Sequence, residues 1–249
     1  KTIYGVFLNI KIWSDFMIDI HSHVLPGIDD GSKSVDMSLA MLKESYKQGV
    51  DTVVATPHFY IKENTIDSFL EKRTDAYNKL MDFVKGEENI PDIYLGAEVY
   101  FFNGISKMEN IEKLAINNSR YLLLEMPFNQ WNSRVFQEVE DLIYNCKLIP
   151  VIAHLERFVG FQKGTDNIEH LLSMKVIPQM NGENLLSFFT KGKAIKWIES
   201  GVIRLLGSDM HNMEKRPPNL GNACSVISKK LGNEPIENMI ELSKEIIGI

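Results

Sequence analysis

Two hydrophobic periodicities alternate along the chain. Short apolar, β-branched runs of strand length recur: "MIDIH" (17–21), "TVVAT" (52–56), "IYLGAE" (93–98), "YLLLE" (121–125), "IPVIAH" (149–154), "KVIPQM" (175–180) and "VIRLLG" (202–207). Longer stretches between them carry apolar residues at helical spacing. The segment 34–49 opens on Ser34 and ends on Gly49, a capping residue and a terminator, so the pattern predicts a helix there. Further helices are predicted over 65–86, 131–147, 165–174 and 191–200, and two more close the chain near 217–231 and 234–247. Strands that alternate with helices, with no linker, low-complexity tract or repeat, predict a parallel α/β architecture. Periodicity leaves an open sheet and a barrel equally allowed.

The leader "KTIYGVFLNIKIWSDF" breaks this rhythm. It is apolar but interrupted by Asn9 and Lys11, and it has no small-residue cleavage site, so it makes a poor signal peptide. Residues 1–16 are expected to be an N-terminal extension, from an upstream start or an added segment, and 17–249 a single domain. No apolar run reaches the roughly 18 residues of a membrane span, so no direct membrane insertion is expected.

Composition narrows the function classes. The 249 residues are 44% hydrophobic and 24% charged, an ordinary globular balance with enough apolar mass for one large core. The formal charge of −6 disfavours nucleic acid as a partner, and an anionic substrate would need positive charge supplied locally. The two cysteines, Cys146 and Cys224, form no disulfide framework or zinc motif, which fits a reducing cytoplasm. Neither starts a C-x5-R cysteine-phosphatase motif: the sixth residue after Cys146 is Ile152, and after Cys224 it is Lys230. Both fall in helical patterns and read as packing residues. A P-loop and G-x-G-x-x-G are also missing, so no nucleotide cofactor is indicated.

The titratable residues fall in a pattern that folding alone does not require. Of six histidines, His21 and His23 end the first strand, and His58 follows the second. His154 ends the fifth and His211 follows the seventh, while His170 sits in a helical segment and is given no role. Asp29 and Asp30 come just after strand one, Glu98 and Glu125 end strands three and four, and Asp209 follows strand seven. A lone strand-end histidine is usually a satisfied polar residue, and a lone carboxylate there is usually a cap or loop charge. In a parallel α/β fold, however, all strand carboxyl ends lie on one face, so these residues converge. His21 and His23, two apart on a strand, point the same way. Carboxylates gathered in one cleft repel one another unless cations intervene. Mixed imidazole and carboxylate ligands without thiolate suit Mn²⁺, Fe or Zn²⁺, and their number suits two or three ions with a bridging carboxylate.

The ordered set "DIHSH", "DDG", "TPH", "GAE", "LLLE", "AHLER" and "GSDMH" resembles the PHP (polymerase and histidinol phosphatase) superfamily, in particular its capsule and exopolysaccharide branch of manganese-dependent bacterial protein-tyrosine phosphatases. The resemblance runs from Met17 to about residue 231. It implies a distorted (β/α)7 TIM-like barrel, the PHP fold, and three divalent ions. One ion would be held by His21, His23, Glu98 and Asp209, a second by the bridging Glu98 with Glu125 and His154, and a third by Asp30, His58 and His211. It leaves Asp29 as a neighbour. It also implies that Arg157 in "HLER" and Arg216 in "HNMEKRPP" contact the substrate phosphate. Three divalent ions over four carboxylates would make a cationic pocket in an acidic protein. The ions would activate water for in-line attack on phosphorus, and planar guanidinium groups would clamp the remaining oxygens. The implied activity is hydrolysis of phosphotyrosine in protein, on the C-terminal tail of a bacterial tyrosine autokinase that controls polysaccharide export. The competing readings are a small-molecule phosphomonoesterase such as a histidinol-phosphate phosphatase, a nuclease module, which the charge disfavours, and a non-catalytic metal-binding scaffold, which the intact ligand set disfavours.

Overall fold

The computed structural model describes residues 17–249. The expected extension, residues 1–16, lies outside the described residues. Nine strand segments occur among the described residues, β1 (Met17–Ser22), β2 (Val50–Ala55), β3 (His58–Phe59), β4 (Asp92–Leu95), β5 (Glu98–Tyr100), β6 (Tyr121–Glu125), β7 (Ile149–Ile152), β8 (Ile177–Asn181) and β9 (Leu205–Gly207), and every pairing among them is parallel. They reduce to seven strands. β2 runs into β3 across Thr56–Pro57, and β4 runs into β5 across Gly96–Ala97. Proline cannot donate to a ladder, so β2 ends before Pro57. The chain stays stitched across both breaks by Gly96 N–H to Ala55 O at 2.8 Å and Glu98 N–H to Pro57 O at 3.1 Å. Arg73 closes the outer side of the Gly96 break by donating to its carbonyl at 2.6 Å. Burial pushes the Arg73 pKa down to about 10.

The order β1-β2-β4 continues as β3-β5-β6-β7-β8-β9. The last strand returns to the first through a parallel bridge between Ser22 and Met210, with Asp209 N–H donating to His21 O and His23 N–H to Met210 O, both at 2.9 Å. This contact closes a seven-stranded parallel barrel of irregular wall, in agreement with the barrel expected from the motifs. The interior separates by height. Ile18, Ile20, Val54, Leu123, Val151, Ile177 and Leu205 form one buried apolar cluster, against which Ile116 and the chain's penultimate turn, Ile246 and Ile247, pack. Beyond that layer, toward the strand carboxyl ends, the same wall presents Gln179, Asn181 and Asp209. A register irregularity between Asp19 and Ser22 separates the inward isoleucines of β1 from His21 near its end and His23 just past it, because a bulge shifts side-chain parity by one.

The helices form where caps and apolar stripes agree. α1 (Val35–Lys47) starts on Ser34, whose hydroxyl accepts from Met37 N–H. α2 (Ile66–Phe83) starts on Thr65, and α3 (Ser133–Tyr144) on Asn132. α3 stops short of Cys146, which was read within the helical pattern and instead lies past its end, its thiol donating to Ser106 O. Two short helices, α4 (Leu155–Phe158) and α6 (Glu183–Leu186), have too few residues for a periodic signal. They precede α5 (Asp166–Ser173) and α7 (Lys191–Glu199) on the loops that follow β7 and β8. α8 (Leu220–Leu231) and α9 (Glu234–Ile247) close the chain. Three short 3-10 turns replace a helix after β5. The larger core fills the space between barrel and helices. No helix among the described residues is long and apolar enough to cross a membrane.

Candidate metal centre

All nine residues expected as ligands meet at the carboxyl face of the barrel. His21, His23, Glu98 and Asp209 offer one atom each within 4.8 Å of one another, and all four are buried. The His21 and His23 Nε2 atoms lie 3.2 and 3.1 Å from Glu98 Oε2, and 3.5 and 3.4 Å from Asp209 Oδ1. A second group joins His23, Asp30, His58 and His211, and a third joins His58, Glu98 and Glu125. His154 Nε2 stands 2.9 Å from Glu98 Oε1 and 3.4 Å from Glu125 Oε1. Glu98 is therefore the hub of the cluster. His58 reaches both neighbours, with Nδ1 3.2 Å from Glu98 and Nε2 3.5 Å from Asp30 Oδ1, so the geometry shares it between groups where the motifs assigned it to one.

The local backbone is shaped for this convergence. His154 and Asp209 both take left-handed conformations, with φ of 30° and 53°, which turn their side chains inward where each strand gives way to a loop. Gly207, one layer below Asp209, lies where a Cβ would stand 2.6 Å from His21 Cβ, so a side chain there would collide with the first ligand. Gly31 is held as tightly, with His23 O 2.3 Å from where a Cβ would stand.

Several residues outside the expected set orient the ligands. Asp29 accepts from His23 Nδ1–H at 2.7 Å, from His58 N–H at 3.0 Å and, through its other oxygen, from Gly31 N–H at 2.9 Å. A carboxylate behind a histidine fixes its tautomer and turns Nε2 toward the centre. Gln179 Oε1 accepts from His154 N–H at 2.8 Å and lies 3.3 Å from His21 Nδ1, so one amide ties two strands' histidines together. His211 Nδ1–H donates to Asp209 O at 2.8 Å, leaving Nε2 free to face Asp30. Sequence reading left Asp29 as a neighbour and passed over Gln179. The only signal for Gln179 was an amide in an otherwise apolar strand run.

The electrostatics concentrate charge in a buried pocket. Burial opposes charge on Glu98, but the facing His21 and His58 outweigh it and hold its carboxyl well below the usual range. Asp209 is lowered in the same way against burial, chiefly by His21 and His23. Burial also opposes a charged His154, yet hydrogen bonds with Glu125 and Glu98 raise its pKa to about 9. For His23 the Asp29 hydrogen bond again overrides burial and lifts the pKa well above the ordinary value. His211 goes the other way, to about 3, through burial and the neighbouring His23 charge. Glu98 and Asp209 are thus kept charged in a buried pocket, with protons favoured on His23 and His154. Three buried atoms that face the cluster, Glu98 Oε2, His58 Nδ1 and His211 Nε2, have no hydrogen-bond partner. Unpartnered buried ligand atoms in a mixed imidazole–carboxylate set, with no thiolate, fit hard or borderline divalent ions.

The two arginines lean over the same face, each with its side chain 30% exposed. Arg157 Nη2 donates to Asp209 Oδ2 at 2.7 Å, and Arg216 Nη2 donates to Asp30 Oδ2 at 2.9 Å. The Arg216 loop is wound around Asn212, whose side-chain oxygen accepts from the backbone N–H groups of Glu214, Lys215 and Arg216. His170, the histidine given no role, lies on α5 and packs edge-on against Phe136.

A closed parallel barrel with imidazoles, carboxylates and two arginines at the strand carboxyl ends defines a barrel protein with a candidate multinuclear metal centre. Residues 17–247 match the family model described as "Capsular polysaccharide synthesis, CpsB/CapC", and the chain belongs to that family. It is 31% identical over 225 residues to tyrosine-protein phosphatase CpsB of Streptococcus pneumoniae, which covers 87% of this chain and 91% of that protein. It is 29% identical over 228 residues to tyrosine-protein phosphatase YwqE of Bacillus subtilis (strain 168), covering 88% and 86%. Its fold matches a chain from the crystal structures of YwqE from Bacillus subtilis and CpsB from Streptococcus pneumoniae, described as metal-dependent tyrosine phosphatases, with a TM-score of 0.83, 26% identity and coverage of 93% and 94%. The phosphotriesterase homology protein of Escherichia coli shares the fold alone, with a TM-score of 0.52 at 10% identity. The resemblance read from the seven motifs is borne out in the family and in the barrel.

Proposed function

We propose that this chain is a metal-dependent protein-tyrosine phosphatase that acts in the cytoplasm on a phosphotyrosine-bearing partner, the C-terminal tail of a bacterial tyrosine autokinase that regulates capsule or exopolysaccharide synthesis. Three divalent ions are assigned, Mn²⁺ in the native protein, with Fe or Zn²⁺ chemically compatible. His21, His23, Asp30, His58, Glu98, Glu125, His154, Asp209 and His211 would hold them, with Glu98 at the hub. The observation that carries the reading is Glu98 Oε2, a buried carboxylate oxygen without a hydrogen-bond partner, with imidazole nitrogens of His21, His23 and His58 at 3.1–3.2 Å. Divalent ions at such a centre supply a deprotonated water near neutral pH and neutralise charge on the phosphoryl oxygens.

The chain's own residues do the rest. Asp29 and Gln179 hold the histidine rings in place. Arg157 and Arg216 each grip an acidic residue of the cluster through Nη2, and their guanidinium groups would donate to the oxygens of a phosphate seated there. Support for the substrate comes from the capsule-synthesis family and from relatives named as tyrosine-protein phosphatases.

The test removes metal with chelator, verifies its loss by elemental analysis, and restores it with Mn²⁺. Turnover of a phosphotyrosyl peptide should vanish and return. Full activity in metal-free protein overturns the reading, and a higher kcat/KM for histidinol phosphate moves the chain to the small-molecule phosphomonoesterases. His21→Ala, Glu98→Ala and Asp209→Ala should each lower kcat by about two to three orders of magnitude, while His170→Ala leaves it unchanged.

A further inference from the structure

Large apolar rings exposed beside a polar centre need a reason, because water solvates them poorly and the barrel core does not use them. Two aromatic walls stand against this cluster. On one side, Phe128 lies stacked along the ring of His154, with centroids 6.2 Å apart and planes at 23°. Phe128 is 38% exposed although Phe158, at 5.0 Å, and Phe161, edge-on at 5.7 Å, brace it from behind. On the other side, the half-buried Tyr60 packs at 5.1 Å from the ring of His58 and is backed by Tyr100 at 5.7 Å. His154 and His58 face the two different oxygens of Glu98, at 2.9 and 3.2 Å. The walls therefore rise from histidines on either side of the hub carboxylate.

We propose that Phe128 and Tyr60 form an aryl-recognition slot, so that the site selects phosphate esters of phenols over those of alkyl alcohols through its own side walls. This rests on the phosphatase reading above. The ring of a phenolic phosphate is joined to phosphorus by a single oxygen. A phosphate seated at the cluster under Arg157 and Arg216 therefore cannot place its ring far from the rings that flank His154 and His58. Aromatic pairs gain attraction in stacked or edge-on geometry at centroid separations of 4.5–7 Å, the range in which Phe128 and Tyr60 already contact the histidines. A serine phosphate offers no ring to fill that slot, and both walls would stay wet. Phe128 has no ligand or hydrogen-bonding atom in its side chain, so its role is separable from holding the centre together.

The experiment measures binding of phenylphosphonate and methylphosphonate to the Mn²⁺-loaded full chain by calorimetry. The two share the phosphoryl head and differ in the ring. Wild type should bind the phenyl compound more tightly. Phe128→Ala should cut that preference by about fivefold to tenfold and leave methylphosphonate affinity unchanged, while Phe128→Tyr keeps the preference. In turnover, Phe128→Ala should raise KM for a phosphotyrosyl peptide with little change in kcat. Tyr60→Leu should lower the same ratio. An unchanged ratio in Phe128→Ala, an equal loss for both ligands, or equal binding of both by wild type overturns the slot while the phosphatase reading stands. Failure of loaded wild type to bind either phosphonate or to hydrolyse any phosphate ester overturns both.

Discussion

Gly207→Ala tests whether the barrel interior and the metal centre are one mechanical unit. The added Cβ would stand 2.6 Å from His21 Cβ and 2.9 Å from Gln179 Nε2. Carbon atoms in contact sit at about 3.5–4.0 Å, so something must move by about 1 Å. Gln179 has little room to yield. Its oxygen accepts from His154 N–H, its nitrogen donates to Asn181 Oδ1 at 3.0 Å, and it is fully buried. The displacement therefore falls on the stem of His21, whose Nε2 must meet Glu98 and Asp209. A misplacement of about 1 Å at a reacting constellation costs on the order of 10²-fold in rate, and overpacking a filled interior costs about 1–3 kcal/mol of stability. The variant should fold with Tm lowered by about 2–4 °C per kcal/mol, bind Mn²⁺ more weakly by calorimetric titration of the metal-free protein, and lose about 10²-fold in kcat/KM on p-nitrophenyl phosphate. Gly192→Ala, at an exposed position in α7 with nothing within 4 Å of the new Cβ, is the control and should match or slightly exceed wild type in Tm. Wild-type metal affinity and turnover in Gly207→Ala would refute the argument. A lowered Tm with intact kinetics would show that the clash is relieved away from His21.

Asp29→Asn removes the carboxylate that accepts the hydrogen bond from His23 Nδ1–H, and should weaken Mn²⁺ binding by about 10–100-fold; a titration that superimposes on wild type would return Asp29 to a loop charge. Arg157→Lys and Arg216→Lys replace a planar fork by a point charge. Each should keep its metal content but lose about tenfold or more in kcat/KM with peptide and p-nitrophenyl phosphate alike, and a defect confined to the peptide would mean that the arginines read the protein chain. Burial pushes the Cys224 thiol up to about 12, so at pH 8 about one molecule in 10⁴ carries a thiolate there. Iodoacetamide should modify Cys224 only as fast as the chain unfolds, and rapid loss of activity on its modification in folded protein would revive a cysteine mechanism. Glu138 accepts from the N–H groups of Gly104 and Ser106 and from the Ser106 hydroxyl, and these bonds outweigh burial and hold its carboxyl below the ordinary value. Its contribution to stability is therefore present above the unfolded-state pKa and lost as pH falls through the folded one. Urea midpoints of wild type and Glu138→Gln should differ at pH 7 and converge under acid, and a gap that widens with falling pH would contradict the sign.

The local periodicity, read residue by residue, determined where most elements lie and which residues carry chemistry. Ser34, Thr65 and the closing glycines mark helix ends because capping is satisfied within a few residues of sequence. His21 and His23 share a face because side chains on a strand repeat every two residues. Their company of strand-end carboxylates made the metal centre legible, since parallel strands must deliver their carboxyl ends to one side. Only the tertiary structure closed the barrel, through a bridge between Ser22 and Met210, residues separated by most of the chain and marked by no local pattern. It also divided two adjacent aspartates of identical chemistry. Asp29 faces the back of His23, while Asp30 opens toward His58, His211 and Arg216, a difference set by how one turn packs. By local sequence alone Gln179, Gly207 and Phe128 are an amide in a strand, a strand-end glycine and a loop aromatic. Their meaning lies in what stands opposite them, and opposition across a barrel is fixed by strand order, register and closure together. Those depend on long-range burial and pairing, which no window of the sequence contains.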